Sequence, residues 1–261
     1  MNGYIHMLPA EVKAISENIT LHVIDLETIT EKISAQITDN LVEICEGDSE
    51  TDIHITKRNF SKFLSTKDER TRHGAVAEFF IHMYLRQRGL KQEFLFLNLE
   101  EGSIKKGFDG YFSRDSEEYL VESKSGSAKT INISHKRKLL EAYNDISGVI
   151  SGNSNKSKNN PWRNAYNHAA HADVGTSKTI RKKIKEVSDL YDTGTFQDVS
   201  SFNIIPCSTI ILENYIASSY STDILQMKND FFDIFKAKTT TLVCITKSTF
   251  VAFIKYLGDE I

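Results

Sequence analysis

Residues 107–124 read Gly107-Phe108-Asp109-Gly110-Tyr111-Phe112-Ser113-Arg114-Asp115-Ser116-Glu117-Glu118-Tyr119-Leu120-Val121-Glu122-Ser123-Lys124. Two apolar-rich runs, 108–113 and 118–124, flank the polar stretch 114–117, the pattern of a β-hairpin with a four-residue connection. Side chains two apart share one face of a strand, so Glu122 and Lys124 project to one side and Val121 and Ser123 to the other. The first arm can bring Asp109 beside them. Two carboxylates converging at a hairpin make a hard oxygen site suited to Mg²⁺ or Mn²⁺, with water and a phosphate completing the shell. A neighbouring lysine can orient a metal-bound water and steady developing negative charge. Those parts together meet the requirements for hydrolysing a phosphodiester.

Upstream of the hairpin, a helix is expected from Asp68. Ala75, Ala77, Phe79, Phe80, Met83, Tyr84 and Leu85 build a broad apolar surface, and Gly89 suits its end. Phe94 to Leu99 reads as a short buried strand. Nearer the N-terminus, a strand is expected at Thr20–Leu26 and a helix at Thr30–Ile44, where Ile33, Ile37, Leu41 and Ile44 follow helical spacing. Downstream, helices are expected at Ser134–Ile146, Ser177–Leu190 and Thr222–Lys236, the last opened by a capping-box pair, Asp223 and Gln226. Residues 151–160 read as an exposed loop. Strands are expected at Ser208–Leu212 and Thr241–Thr246. Strands alternating with helices indicate an α/β chain.

The charge is unevenly spread. The 32 Lys+Arg and 35 Asp+Glu leave a formal charge of only −3, yet residues 1–52 hold eleven acidic side chains against Lys13 and Lys32. Residues 124–185 hold thirteen Lys and Arg against Glu141, Asp145 and Asp173. A basic sector can neutralise phosphates and release their counterions, which makes nucleic acid a candidate partner. Lys129, His135, Lys136, Arg137 and Lys138, following the proposed catalytic strand, are the candidate phosphate contacts. Trp162, Arg163, Tyr166 and His168 could form an aromatic and basic platform.

With 261 residues, 40% of them hydrophobic, the chain can bury a large core without staples. Cys45, Cys207 and Cys244 are too few and too scattered for a disulfide framework, which fits a reducing cytoplasm. No apolar run approaches the ~20 residues of a membrane span. The segment Ser125–Thr130 lacks a phosphate-binding G-x-x-x-x-G-K-[ST] loop, so any ATP-driven step is expected from a partner. His168, His171 and Asp173 fall short of a zinc ligand set.

The order of Asp109, then Glu122 and Lys124 on the next strand, resembles the PD-(D/E)xK nuclease superfamily of restriction and repair enzymes. That resemblance implies a restriction endonuclease-like core, a central mixed sheet flanked by helices. It also implies a metal site of Asp109 and Glu122 with Lys124 as catalytic partner. Members commonly add to the metal site a glutamate from the helix before the hairpin, and Glu78 in Ala75-Val76-Ala77-Glu78-Phe79-Phe80 occupies that place, which implies that it is a further metal ligand and catalytic residue. Gly107-Phe108 stands where the name-giving motif has its proline and neighbour. More narrowly, Lys106-Gly107-Phe108-Asp109-Gly110-Tyr111-Phe112 with Val121-Glu122-Ser123-Lys124 is similar to the small nuclease subunit of Hachiman antiphage defence systems. That likeness implies a helicase partner and degradation of DNA in infected cells. The expected organisation is an acidic region, 1–60, packed on or beside a nuclease-like domain, 61–261. The alternatives on the same fold are a sequence-specific restriction endonuclease and a DNA-binding or regulatory module without catalysis.

Overall fold

The structure, a computed structural model, describes residues 8–96, 107–153, 160–212 and 219–258. The chain opens with an antiparallel pair, β1 (Glu11–Ser16) and β2 (Ile19–Leu26). Three helices follow, α1 (Glu31–Glu46), α2 (Ile53–Ser65) and α3 (Glu69–Gln87). Each starts at an extended residue whose side chain accepts an otherwise unpaired backbone N–H: Thr30 from Ile33, Asp52 from His54 and Asp68 from Thr71. The short β3 (Lys91–Gln92) precedes the hairpin of β4 (Gly110–Arg114) and β5 (Glu117–Ser127). Then come α4 (His135–Ile150), α5 (Pro161–Ala169), α6 (Lys178–Asp192) and β6 (Asn203–Ile211). The short helices α7 (Tyr220–Leu225) and α8 (Asn229–Phe232) lead to β7 (Thr239–Lys247) and α9 (Phe250–Leu257).

Among the described residues the strands form one seven-stranded sheet in the order β1-β2-β7-β6-β5-β4-β3. Its centre, β2, β7, β6 and β5, is parallel, and the outer pairings are antiparallel. Helices cover both faces, as a sheet with a parallel centre requires. Residues of α1, α2, α3 and α9 pack with Ile24, Val121, Ile205, Val243 and Ile245 on one face. On the other, residues of α4 to α8 pack with Leu21, Leu120, Ile204, Leu242 and Cys244. This is the α/β architecture, a mixed sheet between helices, expected from the sequence. The acidic N-terminal stretch is continuous with it, because β2 pairs with β7 along its whole length. Cys45, Cys207 and Cys244 are buried and free. Among the described residues, no helix is long and apolar enough to cross a membrane.

Several boundaries differ from the sequence reading, each for a physical reason. The hairpin connection is Asp115-Ser116, two residues rather than four. Both have positive φ, 49° and 70°, so the turn twists with its strands. Phe94–Phe96 is not a strand: Phe94 packs on Tyr111 and Phe96 on Phe60 and Phe79, so the two rings serve opposite faces of the sheet. Leu97–Leu99, like 154–159 of the expected 151–160 loop, lies outside the described residues. The helix expected at 222–236 is broken at Lys228, which is extended at φ −71° and ψ 156°. Ser219, not Asp223, precedes α7, and its hydroxyl donates to the Asp223 carboxylate at 2.7 Å.

Candidate active site

The β4–β5 register runs from Arg114 opposite Glu117 to Gly110 opposite Val121, which brings Asp109, one residue further, beside Glu122. The Asp109 carboxylate is fixed there, accepting the backbone N–H of Ser123 at 2.7 Å. Gly110 permits this approach. A Cβ at that position would stand 2.8 Å from the Phe112 ring and 3.3 Å from Val121, so the Asp-Gly pair serves close packing and not a turn.

Glu122 and Lys124 point toward α4. The Lys124 ammonium donates to Glu122 and, at 2.8 Å, to Asp145 on α4. Both groups are largely covered, with 13% of the Glu122 side chain and 20% of the Lys124 side chain exposed. Burial, then repulsion from Asp109, pushes the Glu122 carboxyl up to about 8, against the opposing pull of Lys124. For Lys124 burial acts to lower the pKa, but Glu122, Asp109 and Asp145 together raise it above the ordinary lysine value. The lysine is therefore held as a cation among three carboxylates. Asp145 was absent from the sequence-based site. It counts there only as one of three acids in a basic stretch, and the visible signal is its place beside Tyr143 and Ile146 on the buried side of a helix.

Glu78 arrives from the other face. It is buried on α3, with Oε1 3.7 Å from Nε2 of His82. That same nitrogen lies 3.2 Å from the Asp109 carbonyl oxygen, which can only accept, so Nε2 carries the proton. Since α3 packs on the Val121 face of β5, Glu78 reaches Asp109 through His82 from the side opposite Glu122 and Lys124.

The basic candidates divide. His135 is not a phosphate contact but a core residue, 1% exposed. Its Nδ1 lies 2.8 Å from Ser208 Oγ and its Nε2 3.0 Å from Thr246 Oγ1. Ser221 donates to Asp25, so it accepts from Thr246, which in turn accepts from His135 Nε2 and leaves Nδ1 to accept from Ser208. Burial lowers the His135 pKa to about 3, in keeping with that neutral form. Lys129, Lys136 and Arg137 are exposed, and Arg137 and Lys138 share Glu141 at 3.2 and 2.6 Å. Further along, Lys183 pairs with Glu118, Arg163 with Asp192 and Lys182 with Glu186. The local excess of positive charge is thus partly balanced by acids from other segments. Exposed pairs of this kind hold weakly, so such side chains can exchange a carboxylate for a phosphate. Trp162 forms no open platform, since it is buried between Phe108 and Phe202.

Among the described residues, no three His, Cys, Asp or Glu side chains gather closely enough to hold a metal by themselves. A small divalent ion that keeps most of its waters needs only one or two carboxylates. Asp109 and Glu122 supply that number, and a cation held by them would offset the burial and the mutual repulsion that raise the Glu122 pKa.

None of the curated proteins compared matches the chain. The HamA family model matches residues 4–255, nearly its whole length. The chain belongs to the HamA family, the small subunit of Hachiman antiphage defence systems.

Proposed function

We propose that this HamA chain is a Mg²⁺- or Mn²⁺-dependent nuclease that hydrolyses DNA phosphodiester bonds, the effector of its defence system under control of a helicase partner. The observation that carries this reading is the cluster of Asp109, Glu122 and Lys124, whose ammonium is held by Glu122 and Asp145. An isolated ion pair would not require the second carboxylate, Asp109, to be locked beside Glu122 at a cost in repulsion. In the proposed site Asp109 and Glu122 hold the ion, which would polarise the phosphate and activate water. Lys124, fixed as a cation, positions the attacking oxygen and offsets the charge that builds on the phosphate. Asp145 holds Lys124 in place, and Glu78 acts behind Asp109 through His82. Lys129, Lys136, Arg137 and Lys138 contact the DNA backbone.

The test is cleavage of plasmid DNA with Mg²⁺, by the chain alone and with its genetic neighbour. Glu122→Ala and Lys124→Ala, with folding checked by circular dichroism, are each expected to lower the rate by roughly a hundredfold or more. Asp145→Asn, which keeps the lysine but loosens it, is expected to lower it less. Undiminished cleavage in both alanine variants would sink the reading. Discrete fragments instead of general degradation would favour a sequence-specific enzyme.

A further inference from the structure

The segment after β5 places an unusual side chain near the candidate site. Ser127 ends β5 about 10 Å beyond Lys124. Two successive turns then lead to α4, closed by the Thr130 N–H on the Ser127 carbonyl at 2.9 Å and the Ile133 N–H on the Thr130 carbonyl at 3.2 Å. The loop is fastened at both ends. The Ala128 N–H donates to the Ile211 carbonyl at 2.9 Å, Ile133 is buried with Ile210 and Leu212, and Ser134 caps α4. Asn132, at φ 59°, tightens the second turn, a conformation that asparagine tolerates better than most residues.

At the crest stands Ile131, 83% exposed, the most open large hydrophobic side chain among the described residues. A single exposed apolar residue ordinarily needs no explanation. Ile131 differs in three respects. The loop is anchored by Ile133 two residues later, so Ile131 is not needed to hold it. It rides on a fixed turn rather than a frayed one. Finally, it lies on the loop that leaves the strand carrying Glu122 and Lys124, with exposed Lys129 two residues before it and exposed Lys136, whose ammonium stands 5.5 Å from the Phe231 ring centre, in the first turn of α4 after it. An apolar tip between phosphate-seeking cations is how duplex-binding proteins unstack a base step: the cations hold the backbone, and the tip takes the space between bases.

We propose that Ile131 is an apolar wedge that inserts between base pairs of a DNA duplex held at the candidate active site. The wedge rests on the nuclease reading, and it deepens that reading by making local unstacking part of substrate recognition. Such a wedge favours sites that already stack poorly, since the unstacking cost is least at mismatched or damaged steps.

The test uses the full chain with Glu122→Gln to prevent cutting, and a short duplex carrying 2-aminopurine, whose fluorescence rises on unstacking. With Ile131 intact, binding should brighten the probe. Ile131→Ala should suppress that rise and weaken duplex binding roughly tenfold. Ile131→Met should retain both, and binding to the matching single strand should not change. Equal brightening and affinity in the parent, Ile131→Ala and Ile131→Asp would overturn the wedge. The nuclease reading is scored separately by Glu122-dependent cleavage in chains with Ile131 unaltered. A protein that neither binds nor cuts duplex DNA would overturn both.

Discussion

Two lysines in this chain sit in contrasting surroundings. Lys124 lies among Glu122, Asp109 and Asp145, and the carboxylates keep it charged. Lys247, the last residue of β7, is completely buried, has no hydrogen-bond partner among the described residues, and rests 4.5 Å above the Phe80 ring. Burial pushes its pKa well below the ordinary lysine value. A lowered folded-state pKa means that the unfolded chain takes up the proton first. Stability from this residue is therefore lost as pH falls from the lysine range. Lys247→Met keeps the length of the side chain and removes the amine. It should raise stability by about 1–3 kcal/mol in urea unfolding, with the gain larger at pH 7 than at pH 10. A lower urea midpoint would show that the amine has a partner worth keeping. Asp109, Glu122 and Lys124 were legible in the sequence because strand periodicity and hairpin register are local rules. Asp145 and the burial of His135 were not, because both depend on α4 lying across the sheet, a tertiary relation that the helix's own spacing does not encode.

At the scale of elements, the β4–β5 turn fixes the site, since its register sets Asp109 beside Glu122. Asp115 and Ser116 both occupy the left-handed region, where Asn-Gly is the favoured pair. Asp115→Asn with Ser116→Gly should stabilise the chain by about 1 kcal/mol, or roughly 2–4 °C in melting temperature, without altering cleavage. A fall in melting temperature would mean that one of the native side chains has a compensating contact. Helices with strong caps, such as α3 behind Asp68 and α6 behind Ser177, were readable close to their ends. The sequence places the start of β6 at Ser208, five residues late; the stretch before it holds Pro206, a residue that disfavours a central strand. Here pairing with β7 is registered at Ile204 and resumes at Cys207, so the proline occupies a gap in the ladder. β1 left little trace, being mostly exposed at the sheet edge. α2 and α9 were not anticipated either, and each is held by aromatic packing around Phe60 and Phe253.

For the molecule as a whole, the excess of eleven acids over two lysines in residues 1–52 does not sit on a separable segment. Its charges, Glu11, Asp25, Asp39 and Glu43 among them, lie on the exposed sides of β1, β2 and α1. The inward sides of β2 and α1 carry Leu21, Ile24, Leu41 and Ile44, all fully buried. Deleting residues 1–52 should abolish cooperative unfolding and not merely a surface contact; a truncated chain with a sharp thermal transition would contradict this. A role for the acidic surface in partner binding is therefore to be sought by neutralising charges, not by truncation.

The position of β7 also bears on when the protein can assemble. It lies between β2 and β6, so residues 19–26 meet their partner only once 240–247 have been made. During synthesis β2 can pair with β1 alone, and its apolar flank stays uncovered until β7 has left the ribosome. Contacts so distant in sequence form late and slowly. A chain truncated before residue 239 lacks β7, so β2 and β6 are left without the strand that joins them and the central sheet cannot close.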